Sequence, residues 1–151
     1  MFRAIAPAII AVAAIPCGAS QGDLEGPVDL SRYQWKNRLL FVIAPTRDEP
    51  SFDTLHRTLA ARGADLADRD LVVFELVESG LSTKDGEPLD PARARLLQDR
   101  FGVPGGTVSV ILVGKDGGVK LDRRDQTNLE EILALIDSMP MRQHEMRRKN
   151  P

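Results

Sequence analysis

The residues of this chain that could do chemistry are few, and most of them share one polar run, Pro45-Thr46-Arg47-Asp48-Glu49-Pro50. Asp48 and Glu49 are adjacent carboxylates able to serve as general acid and base, with Arg47 beside them as a third polar group. The run precedes a segment of helical spacing, and at a helix N-terminus the same carboxylates compensate the helix dipole without any catalytic role. A nucleophilic serine calls for a GxSxG turn or a histidine partner. Ser79 and Ser82, in ESGLS, have neither frame and read as loop serines. His56 and His144 show no HxH or HExxH spacing, so no metal site is expected, and His56 reads as a histidine bordering a helix's apolar stripe. Gly114-Lys115-Asp116 has the look of a phosphate loop's end but lies between two strands, with Ser109 where the first glycine belongs. It is a turn, and no cofactor is implied.

The one cysteine, Cys17, belongs to a segment of another kind. Arg3, an apolar run from Ile5 to Ile15 and then small residues make the three-part layout of a secretory signal, with cleavage expected after Ala19. That cut removes Cys17. The run is shorter than the roughly 20 residues a membrane-crossing helix needs, so no stable membrane insertion is expected. A competing reading makes Cys17 a lipidated first residue, and Pro16 directly before it opposes that processing. The expected product is a periplasmic or secreted chain without cysteine, stabilised by packing rather than disulfides.

The 151 residues suit one core, and 42% hydrophobic with 28% charged residues is an ordinary globular composition. A net charge of −2 with both signs interspersed offers no basic face for nucleic acid. Residues 20–29 read as a flexible lead-in, 30–139 as the domain and 140–151 as a basic tail. Arg38 to Ala44 is a continuous apolar run, the mark of a strand covered on both faces. Phe52, Leu55 and Leu59 recur at helical spacing, and that helix is expected to continue past Gly63 to Leu66. Asp70 to Val77 is a second buried strand, parallel to the first, and Glu78 to Leu89 is a loop or small hairpin turning at Asp85-Gly86. Asp90 caps a helix that begins at Pro91 and ends at Gly102. Thr107 to Val113 and Val119 to Leu121 flank a tight turn, and Thr127 with Glu130 is expected to form a capping box for the last helix. Pro140 interrupts it, and the arginine-rich tail reads as a solvated charge run carrying another helical turn or two. Tyr33 and Trp35 are expected to seal one end of the core.

The order β-α-β-α-β-β-α predicts an α/β chain with a thioredoxin-like three-layer sandwich around a four-stranded mixed sheet. In that architecture the working cysteines lie between the first strand and the next helix, where the helix N-terminus stabilises a thiolate. Here that place is the Thr46–Glu49 loop, and both cysteine positions are vacant. Gly106 stands where a cis-proline would precede the third strand, with Pro104 two residues upstream. Thr46, Arg47, Asp48, Glu49, Pro104, Gly105 and Gly106 are therefore the candidate binding residues, with no catalytic residue assigned. The expected function is a non-catalytic binding or structural module that holds a periplasmic or envelope protein. The alternative is a non-thiol enzyme working through the Thr46–Glu49 loop.

Specific residues also carry a likeness. Tyr33-x-Trp35-x-x-Arg38-Leu39-Leu40, Ala44-Pro45, Arg69-Asp70 with the strand behind it, Phe101-Gly102-Val103, Lys115-Asp116-Gly117-Gly118 and Met139-Pro140-Met141-Arg142-x-x-Glu145-Met146 span nearly the whole chain from Leu30 to Arg147. In these the chain resembles a bacterial family known only as a domain of unknown function, and a domain of extracellular vertebrate proteins that also carry sushi repeats. The resemblance implies a thioredoxin- or peroxiredoxin-like fold. It implies no activity and no catalytic residues.

Overall fold

The computed structural model describes residues 28–125 and 127–150. Cys17, the expected cut after Ala19 and most of the lead-in lie outside the described residues.

Strand β1 (Arg38–Ala44) is buried along its whole length, as its unbroken apolar sequence requires of a central strand covered on both faces. β2 (Leu71–Val77) runs parallel to it, from Arg38 opposite Leu71 to Ala44 opposite Val77. The crossover between them holds two helices, not the single one expected: α1 (Pro50–Ala61) and α2 (Gly63–Asp68). The break falls at Arg62, with φ −114° and ψ 29°, and the Arg62 guanidinium bonds both Asp65 and Glu130 across it. A glycine next to a residue anchored in two directions ends the helix that hydrophobic spacing alone would have continued.

The segment after β2 forms the small hairpin, β3 (Thr83–Lys84) and β4 (Glu87–Pro88). Asp85 and Gly86 both take positive φ, 49° and 82°, the conformation a tight two-residue hairpin turn requires. These short strands extend the sheet to six, in the order β4-β3-β2-β1-β5-β6, where four were expected. Two-residue strands carry no hydrophobic period, so only their pairing reveals them. Helix α3 (Pro91–Phe101) is bounded as its sequence demands: Asp90 accepts from the Arg93 backbone N–H at 2.9 Å, and Gly102 closes the helix at φ 56°. β5 (Ser109–Val113) pairs antiparallel with β1 and with β6 (Val119–Arg124).

Alternate residues of β1 point into two cores, making helices on both faces the outer layers. Leu40 and Val42 pack with Phe52 and Leu55 of α1 and with Ile132 and Ile136 of α4 (Leu129–Ser138). Leu39, Phe41 and Ile43 pack with Leu97 of α3, Phe74 and Tyr33. The cap of α4 is Asn128, whose Oδ1 accepts from the Glu130 N–H at 3.0 Å, and the expected capping box at Thr127 does not form. Thr127 Oγ1 is buried without a hydrogen-bond partner among the described residues. Tyr33 and Trp35 part company: Tyr33 is buried edge-on to Phe74, whereas Trp35 is 64% exposed at φ 63°, its backbone N–H held by the Lys115 carbonyl at 2.6 Å. The segment read as a solvated tail is helix α5 (Pro140–Lys149), and Arg142 within it is only 3% exposed.

Candidate functional site

Parallel β1 and β2 end at the same edge of the sheet where antiparallel β5 begins, so the Thr46–Glu49 and Pro104–Gly106 loops emerge together. Both are tied to the segment that follows β2. The Ser79 N–H donates to the Pro45 carbonyl at 3.0 Å, and Arg47 Nη1 donates to the Leu81 carbonyl at 2.8 Å. From the other side, the Gly106 N–H donates to Glu78 Oε1 at 3.3 Å. Asp48 is exposed, and Glu49 precedes α1 with no side-chain capping bond, its carbonyl accepting from the Asp53 N–H instead. Pro104, Gly105 and Gly106 are exposed, and no peptide bond among the described residues is cis.

Arg47 also turns inward, 3.9 Å from Glu75 and over the Phe52 ring. Glu75 lies on the core-facing side of β2, in line with Leu71, Val73 and Val77, and is 6% exposed. A carboxylate there is costly to bury unless hydrogen-bonded. His56 Nδ1 bonds Oε1 at 2.6 Å, and the Thr83 hydroxyl donates to Oε2 at 3.0 Å. His56 is thus a boundary histidine that faces a buried acid, stacked parallel on Phe52 at 6.0 Å. The one signal for this cluster in the sequence was an acidic residue inside the apolar run DLVVFELV, at a position whose alternate neighbours are all core.

Of the four clefts that stand out on the described surface, none is lined by residues 46–49. One of about 480 Å³ lies beside the other loop, walled by Glu78, Arg95, Gln98, Val103 and Gly105. Gln98 Nε2 is buried with no hydrogen-bond partner among the described residues. No group of three His, Cys, Asp or Glu among the described residues is placed to hold a metal. No described helix is long and apolar enough to cross a membrane.

Three carboxylates held below their ordinary pKa, Asp68, Asp137 and Glu145, gather at the opposite end of the sheet. Glu145 on α5 accepts from Lys115 Nζ at 2.7 Å and from both terminal nitrogens of buried Arg38; burial works to raise its pKa, and these two cations outweigh it. Asp137 is lowered in the same way, by Arg69 and Arg142 against burial. Hydrogen bonds from Lys149 and Arg142 bring Asp68 down to about 2. Arg38, Asp70, Lys115, Arg142 and Glu145, scattered through the sequence motifs noted above, converge in this one network.

Residues 29–145 match the family described as Domain of unknown function (DUF4174). The chain belongs to this family. Among curated proteins, this DUF4174 chain is similar to coiled-coil domain-containing protein 80 of Danio rerio, 29% identical over 133 residues. That match takes in 78% of the chain but spans only 15% of the relative's length. Among solved structures, the DUF4174 fold is similar to the reduced 2-Cys peroxiredoxin of Plasmodium vivax, with TM-score 0.59 and 14% identity over 79% of this chain and 85% of that one. It is also similar to the mitochondrial 2-Cys peroxiredoxin of Plasmodium falciparum, with TM-score 0.55 and 14% identity over 74% and 80%. At such identity the likeness shows the fold, a mixed α/β sandwich of thioredoxin-like type.

Proposed function

We propose that this domain is a non-catalytic binding module, exported to the periplasm or secreted after cleavage behind Ala19, that holds an envelope protein through the loop end of its thioredoxin-like scaffold. The observation that carries the reading is Arg47: in a loop without sulfur, the one cation is bonded to Leu81 and turned toward Glu75, which ties the loop shut instead of opening a reaction centre. Function on a shared scaffold is argued from the site, and this one keeps the frame and lacks the thiolate. Contact falls on these loops and on the neighbouring cleft beside Gly105, whose walls carry the polar side chains of Glu78, Arg95 and Gln98. Leu81, whose carbonyl holds Arg47, is exposed and offers an apolar side chain beside the 46–49 loop.

The test is a photo-crosslinking residue placed at Arg95 or Leu81, with Val119 on the opposite sheet edge as control, in cells that export the chain. One discrete adduct from the first two positions, weakened by Gln98→Leu, is expected. Adducts of equal yield at Val119, or none at Arg95 and Leu81, contradict the reading.

A further inference from the structure

The one tryptophan of the chain, Trp35, stands exposed just before β1, at the end of that strand away from the Thr46–Glu49 loop. Its φ of 63° is a left-handed backbone that a residue with a bulky side chain adopts only at a cost in free energy. The Lys115 carbonyl holds it there through the Trp35 N–H, and the Gln34 amide fastens the same segment by donating to the Asp116 carbonyl at 3.1 Å. Strain of this kind persists where the surroundings enforce it. Here it presents a large amphipathic ring to solvent, while Tyr33 two residues earlier is packed into the core.

Helix α5 passes beside the β5–β6 turn that holds Trp35. Met141, His144, Glu145 and Arg148 recur at i, i+3, i+4 and i+7 and so share one stripe of the helix. Glu145 fixes the inner edge of that stripe by accepting from Lys115 Nζ at 2.7 Å, and Met141 lines a cleft of about 430 Å³ together with Gly114 and Lys115. The stripe therefore borders the turn. Met141, His144 and Arg148 are exposed, with exposed Arg147 bonded to His144 next to them.

The unbalanced charge of this surface is positive. Its carboxylates are each held by a cation: Asp70 by Lys115, Asp116 by Lys120, and Glu145 by Arg38 and Lys115. Arg32 has Asp29 near it. Lys36, Arg147 and Arg148 form no ion pair with a described residue. An exposed indole flanked by a thioether and unpaired cations is the composition of a face that lies in a membrane interface, where the ring settles among the headgroups and Lys and Arg meet anionic lipid. A ring presented from a turn and surrounded by long, flexible cations suits a fluid bilayer surface better than the fixed relief of a protein partner.

We propose that this end of the domain rests on a membrane of anionic lipid, with Trp35 and Met141 entering the headgroup layer and Lys36, Arg147 and Arg148 meeting lipid phosphates. The contact is peripheral and reversible. It does not depend on the partner site at the loop end, which lies at the other end of β1 and is left facing water.

Vesicles of equal parts phosphatidylglycerol and phosphatidylcholine, compared with phosphatidylcholine alone, test this directly, since tryptophan emission reports Trp35 and nothing else. The full chain is titrated beside a chain beginning at Ser20, which keeps every described residue and lacks the apolar run from Ile5 to Ile15. In both, Trp35 emission is expected to shift to the blue on the anionic vesicles and to be quenched by lipids brominated in the acyl chain, with binding weakened by added salt. Arg147→Gln with Arg148→Gln should weaken co-sedimentation with the vesicles roughly fivefold for each cation removed. Trp35→Gly, a residue suited to φ 63°, should weaken it about tenfold or more without loss of stability. Arg93→Gln, which removes an equally unpaired cation on α3, should change nothing. Equal binding to both lipids, an unshifted emission, binding confined to the full chain, undiminished binding of Trp35→Gly, or equal losses in Arg93→Gln and the Arg147 and Arg148 variant each overturns the proposal.

Discussion

Arg38 and Glu145 stand 107 residues apart in sequence, yet Nη1 lies 3.2 Å from Oε2 and Nη2 3.3 Å from Oε1. The arginine opens the central strand and is 1% exposed; the glutamate comes from α5, and Lys115 of the β5–β6 turn shares it. Three distant segments are thereby fastened at one end of the sheet. A buried cation loses its compensation when its partner is removed, while exchanging both partners for apolar groups costs much less. Glu145→Leu alone is expected to lower stability by roughly 2–4 kcal/mol, and Arg38→Met together with Glu145→Leu to recover at least half of that. Urea unfolding of the two variants decides it, and equal losses would contradict the pairing.

The same network sets a response to acid. Asp68 titrates at about 2 in the fold against an ordinary 3.8, and Glu145 and Asp137 are also lowered, so their contribution to stability is present above the unfolded values. It is lost as pH falls from near 4 through the folded pKa. Thermal midpoints measured down this range should decline, and Asp68→Asn should flatten the part of the decline nearest pH 2 to 3. A slope unchanged in that variant would remove Asp68 from the account.

Glu75 offers a contrast, because Arg47 and His56 beside it reach solvent and, of its three partners, the Thr83 hydroxyl alone is buried. Glu75→Leu extends the Leu71, Val73 and Val77 face and is expected to raise stability by about 1 kcal/mol. A calorimetric midpoint that falls instead would mark the acid as structural.

Gly102 ends α3 in the left-handed region at φ 56°, with open space around its missing Cβ. Alanine there meets no neighbour, so its cost is conformational, roughly 1 kcal/mol. Chemical denaturation of Gly102→Ala should show a loss of that size with an unchanged slope.

A chain beginning at Ser20 carries no sulfur nucleophile, since the one cysteine of the sequence is Cys17. It is expected to show neither peroxide consumption nor disulfide reduction above buffer. Turnover in a coupled assay would mean that the loop end reacts by other means.

What the sequence determined by itself was local or periodic, though the Thr127 capping box and the unbroken crossover helix it also suggested did not form. Unbroken apolar runs placed β1 and β2 and made them buried neighbours, Asp90 and Gly102 marked both ends of α3, and the missing cysteine in the 45–50 loop excluded thiol chemistry there. Propensity, capping and hydrophobic period act over a few residues and can be read without coordinates. Tertiary structure decided whatever depended on partners far along the chain. Arg62 broke the crossover helix by reaching Glu130, and the two-residue strands existed only through pairing, β3 with β2 and β4 with β3. Arg142 turned a charged tail into a docked helix by meeting Asp68 and Asp137, and Glu75 acquired His56, Thr83 and Arg47 from three separate elements. Charges attract by distance in space, and no spacing along the chain encodes which of them will meet.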